Sequence, residues 1–422
     1  MKKVLLLSYY FPPLGMGGTQ RIAAFARHLP DFGWKPTIIT VGEIAYFAHD
    51  PEGALLPADC PIHRTQSLDP LRLLAKLRKE RSLQGGDGAG GHTLRRLLKV
   101  ANFFLLPDNK ILWIPFAWWK ANSLLKNEQF SAILTSGPPH STHLPGIRLA
   151  RKFSIPWIAD FRDGWAGGDF QPESTSLHFR ANRKLEKWVT TKANAVVTVT
   201  EGLAGAIRKD SPKQRILTIT NGFEPQDFNI KVPEKDQFRV VHVGTVGNHV
   251  QPDTALAAFR KFLESPDVDA SHVELIFVGV DLCATLKQKI ADLDLTNHVT
   301  CTGYQPHAVA VQWLKRASVL LYLVQDSAGV GFIPGKTFEY IAAQKPVLAL
   351  AKEIEGLQLL KKHTVVKRAA PRDVNAACAL LLELYFNFRT PAAPKRRKTP
   401  YDIYSRKNLT ARLAVLLDEI SH

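Results

Sequence analysis

KVLLLSYYFPPLGMGG, residues 3–18, opens the chain with an apolar run, a proline break and a cluster of glycines. An apolar run this short, closed by turn residues, reads as a buried strand. The glycines permit a sharp turn into a helix from about Thr19 to Pro30, after which KPTIIT at 35–40 reads as a second strand. Strand, glycine loop, helix and strand form a βαβ unit, whose right-handed crossover builds a parallel sheet. The rhythm recurs in SAILTS (131–136), a GPPH loop, a helix through 151 and IPWIAD (155–160), with VVTVT (196–200) and RILTITNG (215–222) as further short strands.

The polar stretch FNIKVPEKDQF at 228–238 lacks apolar periodicity and reads as a linker. A second sheet begins with FRVVHVGTVG (238–247), followed by a helix from about Asp253 to Leu263 and the strand VELIFVG (273–279). It continues through HVTCTG (298–303), a helix near 307–316, SVLLYLV (318–324), a helix from about Lys336 to Ala343, and PVLALA (346–351). The expected fold is therefore α/β, with two doubly wound Rossmann-like domains and a ligand in the cleft between them. Their bounds are expected at 1–227, with a basic and aromatic insert at about 68–120, and at 238–395. A last helix within 401–422 is placed as crossing back to the first domain.

The 422-residue length and 45% hydrophobic content suit two such cores. Four scattered cysteines without C-x-x-C spacing suggest neither a disulfide framework nor a zinc site, which fits a cytoplasmic setting. No apolar run reaches the ~18 residues that would span a bilayer, and the N-terminal run lacks a signal-peptide cleavage site. The net charge of +17 calls for an anionic partner. Aromatic residues at 103–119 adjoin eight Lys/Arg and two acids between 72 and 99, a combination that suits a membrane interface or, equally, a buried helix pair. With no nucleic-acid module beside it, nucleic acid is not the expected partner.

The segment with most chemistry is GFIPGKTFEYIAAQKPVL, 331–348. Gly335 and Lys336 bring free backbone N–H groups, a helix dipole and an ammonium to one spot, which suits a diphosphate. Glu339, one turn on, can accept two hydrogen bonds from a ribose diol, or can simply pair with Lys336 on the surface. Gly17 and Gly18 present a helix start to phosphate, although without the full G-x-G-x-x-G spacing of a nicotinamide site. His140 and His143 follow a strand and face the cleft as candidates, unless they serve as caps or packing. Asp160, Arg162 and Asp163 end another strand and form either an acceptor site or an ion-pair knot.

PGKTFEYIAAQKPVL resembles the donor-binding signature of retaining glycosyltransferases of the family-4 type, bacterial enzymes of exopolysaccharide and lipopolysaccharide synthesis. The resemblance runs along nearly the whole chain, through SYYFPPLGMGGTQR (8–21), SGPPHSTH (136–143), ADFRDGW (159–165), NGF (221–223) and GTVG (244–247). It implies a GT-B fold and a nucleotide sugar (UDP-, GDP- or dTDP-linked) as donor substrate. That donor would be held by Gly17, Gly18, Gly244, Thr245, Gly335, Lys336 and Glu339, with Glu339 on the ribose. His140, Lys336 and Arg162 are the catalytic candidates, and His143, Asp160 and Asp163 stand on the acceptor side. Retention of configuration, a donor phosphate that helps deprotonate the acceptor hydroxyl, no cofactor and no essential metal are implied as well. So is a saccharide or lipid-linked acceptor at the inner face of the cell membrane.

Two departures stand out. Relatives with an E-x7-E pair carry a glutamate where this chain has Gly331, which leaves the sugar contact to another carboxylate such as Asp326. GTVGNHVQPD also lacks the arginine and lysine that follow the first strand of the second domain in many relatives. Charge compensation then rests on Lys336, with His249 or Arg162 as helpers. A sugar-nucleotide epimerase of the same fold and a catalytically degenerate membrane-bound partner subunit are the rival readings.

Overall fold

The computed structural model describes residues 1–14, 17–42, 57, 59–69, 103, 105–167, 175–232, 237–246, 250–325, 327–390 and 401–421. Met16, His249, Asp326, the glycine-rich stretch 85–91 and the basic linker 391–400 lie outside the described residues. The chain divides into two units, Met1–Thr220 with Arg406–His422, and Asn221–Ser405.

The first unit is built on a seven-stranded parallel sheet ordered β3-β2-β1-β4-β5-β6-β7. Its strands are β1 (Lys2–Ser8), β2 (Trp34–Val41), β3 (Ile62–Thr65), β4 (Ala132–Gly137), β5 (Trp157–Phe161), β6 (Ala195–Thr198) and β7 (Ile216–Thr218). The helices are α1 (Gly17–His28), α2 (Ile114–Asn127), α3 (Leu144–Phe153), α4 (Ser176–Lys192) and α5 (Glu201–Asp210). Both faces of the sheet are covered, which is why β1 is apolar throughout. Leu5 and Leu7 point into one core with Trp157 and Trp113, while Val4 and Leu6 point into the other with Phe25 and Trp34. In register, Leu5 lies beside Thr37 of β2 and Ile133 of β4.

The second unit carries a six-stranded parallel sheet ordered β10-β9-β8-β11-β12-β13. The strands are β8 (Phe238–Val243), β9 (Val273–Val278), β10 (Val299–Cys301), β11 (Val319–Leu323), β12 (Val347–Leu350) and β13 (Val366–Ala369). Its helices are α6 (Asp253–Leu263), α7 (Ala284–Asp292), α8 (His307–Arg316), α9 (Lys336–Ala343), α10 (Glu355–His363) and α11 (Val374–Arg389). Val240, Leu275 and Leu321 face one core, whereas Val241, Ile276 and Leu320 face the other. Phe223 and Phe228 pack into that second core, so residues 221–227 belong with this unit by burial.

Each sheet grows outward from its first strand and then restarts on the other side of it. The switch points fall between β1 and β4 and between β8 and β11, where strands diverge at their carboxyl ends and leave a crevice.

The last helix, α12 (Arg406–Ile420), packs on the first unit: Leu409, Leu413, Leu416 and Leu417 enter the core formed by Val4, Ile22 and Phe25. Lys2 Nζ pairs with Asp418 at 2.9 Å. Because Leu413 is fully buried, Leu413→Ala should destabilise the first unit by about 2–5 kcal/mol. Every tryptophan except Trp313 lies in that unit, so urea unfolding followed by tryptophan fluorescence reads the loss directly. An unshifted midpoint would mean that the helix adds nothing to the core.

Candidate functional site

At the β8–β11 switch point the chain leaves β8 through Gly244, whose φ of 122° suits glycine alone. Gly279, after β9, has φ 88°, and a Cβ there would sit 3.7 Å from the Gly244 carbonyl oxygen. The two loops therefore approach one another at backbone distance. Thr245, next along, is exposed.

α9 starts at the same edge. Pro334 cannot donate a hydrogen bond, Gly335 follows, and Lys336 is the first helical residue. A Cβ on Gly335 would meet nothing within 4 Å, so open space lies above it. Lys336 Nζ turns inward and donates to the Leu323 carbonyl at the end of β11, at 2.8 Å, with the Tyr322 ring 5.5 Å away. Burial pushes its ammonium down to about 7. Among the described residues no carboxylate pairs with it, so nothing offsets the burial that disfavours its charged form.

Glu339, on the next turn, does not pair with Lys336. Its Oε1 lies 2.8 Å from His307 Nε2 at the start of α8, and His307 Nδ1 lies 3.6 Å from Asp227 Oδ2. His307 and Asp227 carried no motif in the sequence. They are 32 residues or more from Glu339 along the chain, and the fold alone brings them together.

The first unit gathers its candidates at the carboxyl ends of β1, β4 and β5. The Arg162 side chain donates to three backbone carbonyls, those of Gly137 (3.1 Å), Gly18 and Pro138, and thereby ties three loops together. Asp160 is fully buried and accepts a two-nitrogen contact from Arg21 (2.8 and 3.2 Å) as well as the Ser136 hydroxyl (2.7 Å). Arg21 also donates to the Thr220 carbonyl at 2.9 Å. Asp160 and Arg162 thus sit in a buried knot, with half-buried Asp163 adding charge beside Arg162. Arg21 lay within the SYYFPPLGMGGTQR segment but had no partner there to mark it; Asp160 is 139 residues away.

His140 and His143 lie in an aromatic box. His140 stacks on Trp165 at 5.0 Å and His143 on Phe161 at 4.6 Å. Trp157 Nε1 donates to Thr135 Oγ1, and the same hydroxyl lies 2.8 Å from His143 Nδ1. Burial drives His140 down to about 3 and His143 well below its ordinary value, so both rings are neutral. Among the described residues His140 Nδ1 and His143 Nε2 have no hydrogen-bond partner. Gly137 admits the pair, since a Cβ there would fall 2.7 Å from His143 Nε2. Gly17 begins α1, and Gly18 lies against Arg162.

Two family models cover most of the chain, the glycosyl transferase 4-like domain over residues 16–222 and the glycosyl transferases group 1 over residues 223–395. This chain belongs to the glycosyltransferases. The enzyme is 28% identical over 179 residues to the amylovoran biosynthesis glycosyltransferase AmsK of Erwinia amylovora, a match spanning 41% of this chain and 42% of that protein. In fold it is similar to the sucrose-phosphate synthase of Thermosynechococcus elongatus, with TM-score 0.62 and 16% identity over 100% of this chain and 96% of that one. It is likewise similar to Anabaena HepE in complex with UDP and glucose, with TM-score 0.64 and 13% identity over 99% and 100% of the two chains. These likenesses establish the GT-B fold of the glycosyltransferase.

The buried knot of the first unit yields a test of its own. Asp160→Asn keeps the shape of the side chain but leaves Arg21 without its counter-charge. It should destabilise that unit by roughly 3–5 kcal/mol. Wild-type stability in urea would show instead that the ion pair is replaceable.

Proposed function

We propose that this glycosyltransferase moves a sugar from a nucleoside diphosphate donor, with retention of configuration, onto a saccharide or lipid-linked acceptor. The setting proposed is exopolysaccharide or lipopolysaccharide assembly at the inner face of the cell membrane, without an essential metal. The observation that carries this reading is Lys336: an inward-turned ammonium at a helix start and strand edge, with no carboxylate of the described residues paired to it. A diphosphate supplies what it lacks. HepE captured with UDP and with UDP-glucose, and AmsK as an amylovoran enzyme, support the donor and the pathway class by analogy.

In this reading, breakage of the bond between the anomeric carbon and the phosphate oxygen builds negative charge on the leaving diphosphate. Lys336, with the glycine turns at Gly244–Thr245 and Gly335 beside it, would meet that charge, and preorganised donors of this kind supply a large share of catalysis. Glu339, held by His307, grips the ribose diol. From the first unit, the proposal assigns Gly17 and Gly18 to the donor and gives His140, 7% exposed and neutral, the catalytic role on the acceptor side. His143 backs His140. Arg162, Asp160 and Asp163 shape that edge.

Membrane contact rests on surface chemistry. Trp119 of α2 is 70% exposed and Leu177 of α4 is 74% exposed, with Trp188 also exposed and Lys184, Lys187 and Lys192 on the same helix. Among the described residues no helix is long and apolar enough to cross a membrane. The basic segment at 72–99 lies outside the described residues.

Calorimetry against UDP-, GDP- and dTDP-sugars should find one donor that binds, with slow release of free nucleoside diphosphate on incubation. Interconversion of sugar nucleotides without that release would favour an epimerase; absence of any binding would favour a degenerate subunit. With the donor known, Glu339→Ala should weaken nucleotide binding by about 2–3 kcal/mol, the loss of a charge-assisted two-point contact. Lys336→Ala should lower turnover at saturating donor by roughly 10²–10³-fold, and Lys336→Arg should recover only part of it. Near-normal turnover in the alanine variant would move the leaving-group contact elsewhere. Co-sedimentation with anionic liposomes should weaken as salt rises, since headgroup attraction is screened over about 10 Å at 0.1 M. Binding indifferent to salt and lipid charge would remove the electrostatic part of the proposal.

A further inference from the structure

The β8–β11 edge holds a second basic side chain that the sequence motifs do not mark. His242, the penultimate residue of β8, is fully buried. Its Nδ1 lies 3.0 Å from the Leu321 carbonyl of β11. A carbonyl only accepts, so Nδ1 carries the proton and Nε2 is a bare lone pair. That Nε2 is buried and makes no hydrogen bond of good geometry among the described residues, although the backbone carbonyl of Thr245 lies near enough to favour the protonated ring. It points to the loop that leaves β8, 4.0 Å from where a Cβ on Gly244 would stand. Glycine at 244 keeps this approach open.

Lys336 is bound to the same strand by the same device, through the Leu323 carbonyl. Carbonyls two residues apart on a strand stand roughly 7 Å from each other. One diphosphate can therefore meet both side chains. Among the described residues, the titratable groups against His242 are Lys336 and Tyr340 of α9. Tyr340 donates its hydroxyl to the Leu321 carbonyl at 3.0 Å and is held neutral by burial. β9 contributes the ring of Phe277, 5.9 Å away. Among the described residues no carboxylate shares the pocket with the imidazole, and without an anion burial first and Lys336 next hold it neutral against the pull of the Leu321 and Thr245 backbones.

We propose that His242 is a second contact of the diphosphate subsite: when a nucleoside diphosphate binds, the bare Nε2 takes a proton from solvent and donates it in a hydrogen bond to a phosphate oxygen. This rests on the donor site described above and deepens it. The imidazolium supplies positive charge on a stretch, GTVGNHVQPD, that has neither arginine nor lysine after the strand. An acceptor left unpaired in a buried site is costly, and a phosphate that brings the proton's counter-charge removes that cost.

The test is a nitrogen-15 spectrum of the histidine rings at pH 7, with UDP, GDP and dTDP as probes. The signals missing from a His242→Asn variant identify the residue. Without nucleotide they should show one protonated and one bare nitrogen, and with a saturating nucleoside diphosphate both nitrogens should be protonated. The variant should bind that nucleotide about ten- to a hundredfold more weakly at pH 6, with the gap narrowing as pH rises and the wild-type imidazolium loses its proton. Should the variant not fold, the wild-type spectrum still shows whether one more imidazolium appears on binding. A nucleotide that saturates the protein while Nε2 stays bare overturns the proposal, leaving the donor site itself intact. If none of the three binds, the donor site falls and this inference falls with it.

Discussion

The carboxyl end of a parallel strand exposes carbonyls that no neighbouring strand can take, and in both units basic side chains cap them. Arg162 caps Gly137 and Pro138 at the end of β4 and also takes the Gly18 carbonyl at the start of α1, Lys336 caps Leu323, and His242 caps Leu321. Buried polar groups must be paired, so these residues are part of how each sheet ends. What separates the two edges is the balancing charge. In the first unit Asp160 and Asp163 act on Arg162, and Asp160 also holds Arg21. In the second, neither Lys336 nor His242 has a carboxylate partner among the described residues, and burial holds both below their ordinary protonation range. Among the described residues the first edge has its cations balanced by carboxylates and the second does not, and on that imbalance the proposed diphosphate site rests.

This contrast bears on the departures from the family pattern. With Gly331 in place of a glutamate and no arginine or lysine in GTVGNHVQPD, charge at the second edge is carried by groups that can be neutral before the donor arrives. A permanently charged arginine would be expensive to bury without its ligand. A lysine depressed to about 7 and a neutral histidine avoid much of that penalty. In the proposed site the positive charge then appears with the phosphates.

Much of this architecture could be read from local pattern. Asp253–Leu263, His307–Arg316 and Lys336–Ala343 match the helices read from periodicity and turn residues. The strand read at 155–160 starts instead at Trp157, because Pro156 has no N–H to give the ladder. RILTITNG forms a strand only over Ile216–Thr218, since the chain beyond turns toward the second unit. α4 went unread: SLHFRANRKLEKWVTTK is mostly polar and buries only Asn182, Val189 and Thr190. At the site, the Pro-Gly-Lys turn announced Lys336 because its chemistry is local. The pairings of Glu339 with His307 and of Asp160 with Arg21 are tertiary and leave no spacing to read, and the orphan nitrogen of His242 exists only once β8 and β11 are aligned.

In the proposed donor site the Lys336 ammonium, pushed down to about 7 by burial, is largely neutral at pH 8 until a diphosphate binds. Calorimetric titration with the nucleoside diphosphate that binds, at pH 8 in buffers of different ionisation heat, measures it most directly. An anion favours the charged form and returns the ammonium toward its usual range, so binding should take up a proton. The uptake should fall by about one proton in Lys336→Met, which keeps the stem but not the charge. Binding with no proton uptake, or uptake unchanged in Lys336→Met, would contradict the account.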